Sequence, residues 1–372
     1  MKVAFWLSLT GIVYTYLGYA GWLWLRTRIR PRSVKQASYW PMVSVAMVVQ
    51  NEERTLEAKL ANFEELNYPP EKLEIIVVSD GSTDSTAALL SGSLSSRVRA
   101  KINPVAGGKA SALSDALALA AGEVVVFTDA RQRIEAEAVR LLMENFADLS
   151  IGCASGELML GDQHGSEARE GLGLYWKIEK KIRELESESG SVVGATGAFY
   201  AVRKNLVVPP PAGTILDDVF IPMNVVRGGS RVVFDGRARA WDSSNLGSSR
   251  EFHRKVRTLG GNYQLLQLAP WLLSPKNPIL FEFVSHKLLR LFVPFALVFA
   301  LFSSAFVPGA FYRASFWLQV LFYGLSLLAL THLRLGFLQR LADPAKTLVV
   351  LNAAALVAFL NFAVGRKVVW SR

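Results

Sequence analysis

Charged residues at four points of the sequence suit a reaction at a phosphorylated ligand. Asp80 and Asp129 each follow a run of apolar residues, and Asp217-Asp218 precede the apolar stretch VFIPMNVV. Carboxylates can bind a metal ion at a diphosphate or accept a proton from an attacking hydroxyl, although an acidic pair before a helix also suits capping. Lys109 follows two glycines before a helical pattern. A lysine there opposes the helix dipole, which indicates an anionic partner.

Alternating strands and helices are needed to bring these residues together. Four apolar runs predict buried strands, and three helical patterns separate them; the strands cover 42–50, 73–80, 95–105 and 124–130, and the helices cover 54–66, 85–93 and 110–120. This alternation predicts an α/β fold with a parallel sheet, in which ligands bind beyond the carboxyl ends of the strands. No G-x-G-x-x-G follows the first strand, which argues against a dinucleotide-binding domain.

Apolar segments at both ends of the chain predict an integral membrane protein. Residues 4–25 lack charge and precede five basic residues, which favours a retained anchor over a cleaved signal peptide and puts the middle of the chain in the cytoplasm. Three more segments are long enough to span a bilayer, near 288–307, 315–333 and 347–365. We expect the inner membrane of a bacterium, although the basic C-terminal RKVVWSR runs against the external C-terminus that four crossings imply.

Composition narrows the set of partners. The formal net charge of +10 suits a protein at an anionic membrane face that handles phosphorylated ligands. Without a basic stripe interleaved with aromatics, nucleic acid is not expected as a partner. The single cysteine, Cys153, cannot form an intrachain disulfide and fits a reducing compartment.

Seven collinear blocks carry a resemblance to a known family: VSVAMVVQNEE, VVSDGSTDST, GGKASALSDAL, VVVFTDA, GATGAFYAVRK, ILDDVFIPMNVVRGG and REFHRKVRTLGGN. Together they resemble a membrane-integrated family-2 glycosyltransferase, similar to the synthases of hyaluronan, cellulose, chitin oligosaccharides and poly-N-acetylglucosamine and to ceramide glucosyltransferase. The resemblance implies a GT-A fold, an α/β Rossmann-like and mostly parallel sheet, with transmembrane helices at both ends. We expect an N-terminal membrane helix in 1–28, the catalytic domain in 40–250, an interfacial segment in 251–285 and three membrane helices in 286–372.

The resemblance also implies roles on the donor side. Asn51, Glu52 and Asp80 would bind the base and ribose of a nucleotide sugar, and a UDP-sugar is the expected donor. Lys109 would lie near the diphosphate. Asp129 would be the first acid of the family's Asp-x-Asp element and a ligand of a divalent cation, Mg²⁺ or Mn²⁺.

The resemblance also implies a general base and a set of residues that line the acceptor-binding site. Asp217-Asp218 match the family's acidic pair, whose second acid is the general base. Residues 194–197 would line the acceptor. Arg254 and Arg257 fall where polymerising members carry Gln-x-x-Arg-Trp. Because the acceptor would displace the nucleoside diphosphate in one attack, the transfer would invert the anomeric centre.

Arg131 departs from the family pattern, because it stands at the second acid of Asp-x-Asp. Three interpretations remain open. A metal is held more loosely, by Asp129 with phosphate oxygens and water. Alternatively, Arg131 replaces part of the metal's charge by pairing with the diphosphate, which a guanidinium does well. In the third interpretation, Arg131 points to solvent and starts the following helix.

A second departure concerns the product. Aligning Arg257 with the family arginine places Thr258 where polymerising members have tryptophan. This weakens the prediction of a processive polymerase, so a lipid or saccharide acceptor receiving one or a few sugars is an equal expectation. The alternative from another class is a catalytically impaired scaffold that binds nucleotide sugar in a polysaccharide synthesis complex. Segments 172–186 and 252–273 predict amphipathic helices at the membrane interface, with ordinary surface helices as the alternative.

Overall fold

The computed structural model describes residues 1–92, 95–161, 170–243, 248–330 and 338–366, without the side chains of 170–176 and 248–249. Its centre is one eight-stranded sheet: β1 (Val43–Val49), β2 (Leu73–Asp80), β3 (Val98–Asn103), β4 (Val124–Thr128), β5 (Arg133–Ile134), β6 (Ile151–Leu160), β7 (Phe199–Arg203) and β8 (Arg231–Asp242). Runs of β-branched residues form the central strands, and β1 and β4 are buried throughout because both faces of the sheet are covered. All four predicted strands are present.

The strand order is β3-β2-β1-β4-β7-β6-β8-β5. The first four strands pair in parallel, as the alternation of strands and helices predicts. β7 then runs antiparallel to both β4 and β6, so the sheet is mixed but mostly parallel. Because β1, β2 and β4 share one direction, their carboxyl ends meet at one edge of the sheet.

The helices flank the sheet and extend beyond it: α1 (Lys2–Val13), α2 (Tyr19–Ile29), α3 (Leu56–Glu64), α4 (Thr86–Ser91), α5 (Lys109–Leu119), α6 (Ala138–Glu144), α7 (Glu170–Ser189), α8 (Asp217–Arg227), α9 (Ser248–Leu268), α10 (Leu280–Phe283), α11 (Leu289–Phe306), α12 (Ala310–Leu328) and α13 (Gln339–Ala363). The three helices predicted in the first half are present as α3, α4 and α5. One apolar core, with α5 and α8, lies on one face of the sheet, and a second, with α3 and α6, lies on the other.

Three helices among the described residues are long and apolar enough to cross a membrane. They are Lys2–Ile29, in which a π-turn joins α1 to α2; Leu280–Phe306, in which another joins α10 to α11; and α13. These correspond to three of the four predicted spans and support membrane integration. The fourth segment forms α12, which is not among the three, and its last residues, 331–333, lie outside the described residues, as does most of the basic tail.

Both predicted amphipathic segments are helical, as α7 and α9, and both pack against candidate membrane helices. Ile182 and Leu185 of α7 pack against Tyr19 and Leu23 of α2. Val256 of α9 packs against Ala354 and Ala358 of α13. The α7 and α9 helices therefore pack against two of the candidate membrane helices through their apolar residues.

Candidate active site

Two acidic residues and a lysine converge at the carboxyl edge of the sheet. Asp129 directly follows β4, Lys109 is the first residue of α5, and Asp217 is the first residue of α8. The Lys109 Nζ lies 3.0 Å from Asp129 Oδ1 and 3.6 Å from Asp217 Oδ2. Burial alone would lower the pKa of Lys109, but Asp129 and Asp217 raise it above its ordinary value. Lys109 is thus a permanent cation, and its partners in the structure are carboxylates.

Asp218 lies in the first turn of α8, against the loop 194–197. A Cβ at Gly197 would be 2.8 Å from Asp218 Oδ2, so only glycine leaves room for this carboxylate. The Ala195 N–H donates to the Asp218 carbonyl at 2.7 Å, which holds the loop on the helix. Burial and then the Asp217 charge raise the pKa of Asp218 to about 6, which suits a base that works near neutral pH. Burial also raises the pKa of Asp217, against the attraction of Lys109.

The residues expected to bind the base and ribose order the ends of β1 and β2. Asn51 has a positive φ of 54°, and its side-chain oxygen accepts from the Thr83 N–H at 2.8 Å. Glu52 is buried, and its carboxylate accepts from the Thr55 hydroxyl at 2.6 Å. Asp80 is fully buried, and its two oxygens accept the N–H groups of residues 107 and 108 at 2.7 and 2.8 Å. Asp80 thereby positions the turn before Lys109, and nucleotide binding by these residues stays a prediction.

The loop 129–132 carries Asp129 and Arg131. Ala130 and Gln132 are buried, whereas Asp129 and Arg131 are both partly exposed. Among the described residues, Arg131 has no hydrogen-bonding or ionic partner, and its Nε is buried. The described chain also holds no group of three or more His, Cys, Asp or Glu side chains suited to a metal. The predicted metal ligand Asp129 is paired with Lys109, which is a poor fit to a divalent cation.

The two arginines of the block REFHRKVRTLGGN differ in their surroundings. Arg257 is partly buried, and burial lowers its pKa, against the attraction of the carboxylates of Asp129, Asp217 and Asp218. It therefore faces the acidic cluster. Arg254 is exposed and pairs with Glu251 at 2.9 Å, one turn away on the same helix. The structure brings Arg257, but not Arg254, to the cluster.

Lys59 is a site residue that the sequence analysis did not single out. Its Nζ donates to the Thr128 hydroxyl at 3.3 Å and to the Gln132 carbonyl, so it holds the loop 129–132 from behind. Burial lowers its pKa to about 7, against the attraction of Asp129. The spacing of Leu56, Lys59 and Phe63 on α3 was the available signal, because it places a lysine on a buried stripe.

Two cations near Asp218 were also not singled out by the sequence analysis. The Arg183 guanidinium, on α7, donates to the Thr196 hydroxyl, next to Gly197. Lys287, in the π-turn of Leu280–Phe306, lies near enough that its charge, like that of Arg183, lowers the pKa of Asp218. Charged residues inside an apolar span are costly and usually functional, so SHKLLR was a usable signal.

Comparison with known proteins identifies the domain. The family described as Glycosyl transferase family 2 matches residues 44–207. Residues 44–207, less than half of the chain, are therefore similar to a family-2 glycosyltransferase domain. It is 25% identical over 232 residues to the poly-beta-1,6-N-acetyl-D-glucosamine synthase of Staphylococcus aureus (strain COL), covering 60% of this chain and 55% of the synthase. It is 23% identical over 168 residues to the beta-monoglucosyldiacylglycerol synthase of Synechocystis, covering 44% of this chain and 35% of that enzyme.

The chain thus spans about half the length of the first of these curated relatives. Among solved structures, the mannosyltransferase PcManGT from Pyrobaculum calidifontis, in complex with GDP-Man and Mn²⁺, superposes with a TM-score of 0.73. The sequence identity is 21%, and the match covers 98% of this chain and 100% of PcManGT. This likeness confirms the predicted GT-A fold. The family match and these relatives indicate a glycosyltransferase domain within residues 44–207.

Proposed function

We propose that this protein transfers a sugar, with inversion, from a nucleotide sugar to a saccharide or lipid acceptor at a membrane. The observation that carries the proposal is the position of Asp218, a carboxylate with a pKa of about 6, against Gly197 and beside the cluster of Lys109, Asp129 and Asp217. A base and a cationic diphosphate site within one cluster are what a single displacement at an anomeric carbon requires.

In the proposed reaction, Asp218 accepts the proton of the acceptor hydroxyl as its oxygen attacks the anomeric carbon. The bond from that carbon to the diphosphate breaks, and the diphosphate leaves with the electron pair. Lys109 and Arg257 stabilise the charge that develops on the leaving group, and such fixed electrostatics usually contributes most to the rate. No protein nucleophile takes part, so the configuration inverts. A divalent cation stays a prediction, because its expected ligand Asp129 is already paired with Lys109 and the described residues hold no group of three or more His, Cys, Asp or Glu side chains suited to a metal.

The donor and acceptor classes are supported by relatives rather than by the site. The names of the curated relatives point to a polysaccharide and to a glycolipid as products. A UDP-sugar stays the expected donor, although PcManGT was crystallised with GDP-Man. The three candidate membrane helices favour a reaction at the bilayer, with the sheet expected on the cytoplasmic side.

The test uses the full chain, purified in detergent, with a panel of UDP- and GDP-sugars and with lipid and oligosaccharide acceptors. We expect release of nucleoside diphosphate with one donor and a product of inverted anomeric configuration by NMR. The test variant is Asp218→Asn, and its matched control is Asp235→Asn. Asp235 is a buried carboxylate that pairs with Arg237 and lies away from the cluster. Donor binding without turnover under every condition would favour the scaffold alternative.

A further inference from the structure

The donor site differs from a metal-binding site in its charge. Asp129, Asp217 and Asp218 face Lys109 and Arg257, with Arg131 two residues after Asp129. Counting each at its formal charge, three acids and three bases cancel before any donor binds. Replacing an acid by arginine changes the local charge by two units, the same change that a bound divalent cation would bring.

The loop that carries Arg131 is fixed at both ends. Lys59 holds it through the Thr128 hydroxyl and the Gln132 carbonyl, and the Gln132 side-chain amide donates to Asp242 at 2.9 Å. Ala130 and Gln132 are buried, whereas Asp129 and Arg131 are partly exposed. A guanidinium on a fixed loop binds a diphosphate at low entropic cost, because its planar donors match two phosphate oxygens.

The remaining interactions leave Arg131 available for a ligand. Its guanidinium makes no ion pair with any part of the chain that the structure describes, and the buried Nε has no acceptor. Asp129, by contrast, is already paired with Lys109 at 3.0 Å. A divalent cation would compete with this lysine, and it would be repelled by Arg257, whose charge interacts with the same carboxylate. An anion at the same place would meet both cations.

We propose that Arg131 takes over the role of a divalent cation, so that Arg131, Lys109 and Arg257 bind the donor diphosphate without a metal. The inference rests on the proposed function, since it concerns the diphosphate of that donor. It separates this chain from its structural neighbour PcManGT, whose complex contains Mn²⁺. The test must also exclude the third interpretation of the sequence, in which Arg131 only faces solvent.

The experiment measures binding of nucleoside diphosphates (UDP, GDP, ADP and CDP) to the full chain in detergent by calorimetry, in EDTA and in Mn²⁺. For the natural sequence we expect one diphosphate to bind with a similar Kd in both conditions. Arg131→Asp restores the two-acid element, so its binding should weaken about tenfold or more in EDTA, the loss of one charged hydrogen-bonded pair, and recover in Mn²⁺. Arg131→Gln should weaken binding equally, without recovery.

Arg133→Asp is the matched control. It makes the same change of charge two residues along, but Arg133 is exposed and pairs with Glu65. We expect nearly unchanged binding in both conditions, and thermal unfolding of every variant shows that each is folded.

Three outcomes would count against the inference. If the natural sequence binds only in Mn²⁺, the inference is wrong while the proposed function stands. If Arg131→Gln binds as tightly as the natural sequence in EDTA, Arg131 only faces solvent. If none of the diphosphates binds in either condition, both the proposed function and the inference fail.

Discussion

At the scale of single residues, the site places unlike charges in one small volume. Lys109 lies within 3.6 Å of two carboxylates, while Asp218 has a pKa of about 6 because burial and Asp217 disfavour its charged form. Ionisation of Asp218 in the folded protein therefore costs folding free energy at neutral pH, and other interactions of the fold offset this cost. An active site of this kind lowers the stability of the protein that contains it.

Asp218→Asn should separate activity from stability. We expect sugar transfer to fall by roughly 10²–10⁴-fold, the usual contribution of a general base. Because the pKa of Asp218 is higher in the folded than in the unfolded chain, its ionisation destabilises the fold once the pH exceeds the unfolded value. The neutral variant avoids this loss, so its Tm at pH 7.5 should equal or exceed that of the natural sequence.

Transfer assays and thermal unfolding on the same preparation test this prediction. Repeating the unfolding near pH 4 provides the control, because Asp218 is then protonated in the folded state and the stabilising effect of the substitution should shrink. A variant with a clearly lower Tm at pH 7.5, or with undiminished transfer, would contradict the prediction.

At the scale of elements, the sequence predicted those strands, helices and flanking residues that depend on local sequence patterns. The parallel strands β1 to β4 follow from apolar runs, and Asp129, Lys109 and Asp217 were found because they flank such elements. The positions of Lys59, Arg183 and Lys287 depend instead on how distant elements pack, so their roles were not predicted. Asp80 shows the same limit, since both its oxygens bind the turn before Lys109, 27 and 28 residues along. The antiparallel strand β7 also arises from long-range pairing.

The π-turn within the candidate membrane helix Leu280–Phe306 brings Lys287 near Asp218, the proposed base. Lys287 lowers the pKa of Asp218, so Lys287→Met should raise it. The acid limb of the kcat/KM profile, expected near pH 6, should then move to higher pH. At pH values well above the limb, kcat/KM should change little. Arg183→Met should act in the same direction, since Arg183 also lowers the pKa of Asp218.

The measurement is a pH profile of kcat/KM for each variant. Lys276→Met is the matched control: it removes a lysine from the exposed segment before α10 and should leave the limb in place. A uniform loss of rate at every pH, without movement of the limb, would mean that Lys287 has only a structural role.

At the scale of the whole molecule, a buried polar network joins the sheet domain to two candidate membrane helices. The His286 ring lies 2.7 Å from Glu186 and 2.9 Å from Glu179, both on α7. The Tyr19 hydroxyl donates to Glu186 at 2.6 Å, and Arg290 pairs with Glu179 at 2.7 Å. Burial would raise the pKa of Glu179, but Arg290 and His286 hold it well below the ordinary value, so this carboxylate stays ionised at neutral pH.

This network leads towards the active site. Glu179 and Arg183 are one turn apart on α7, 3.8 Å between Oε1 and Nε, and Arg183 donates to Thr196 beside Gly197. The membrane helices therefore fix α7, and α7 fixes one side of the loop against Asp218. We expect the orientation of the sheet domain on the membrane helices to depend on these contacts more than on exposed pairs.

His286→Ala should therefore destabilise the protein strongly, because it leaves two buried carboxylates without a shared partner. Leaving a buried polar group without its hydrogen-bond partner costs about 1–3 kcal/mol, and more for a charged group, whereas an exposed ion pair contributes about 0–1 kcal/mol. The matched control is Arg254→Ala, which breaks the pair of Arg254 with Glu251 on the exposed face of α9. Thermal unfolding in detergent should show a large fall of Tm for the first variant and almost none for the second.

Because Glu179 neighbours Arg183, His286→Ala should also slow transfer at temperatures where it is still folded. Equal Tm values for the two variants would show that the apolar contacts of α7 and α9 with the membrane helices hold the domain by themselves.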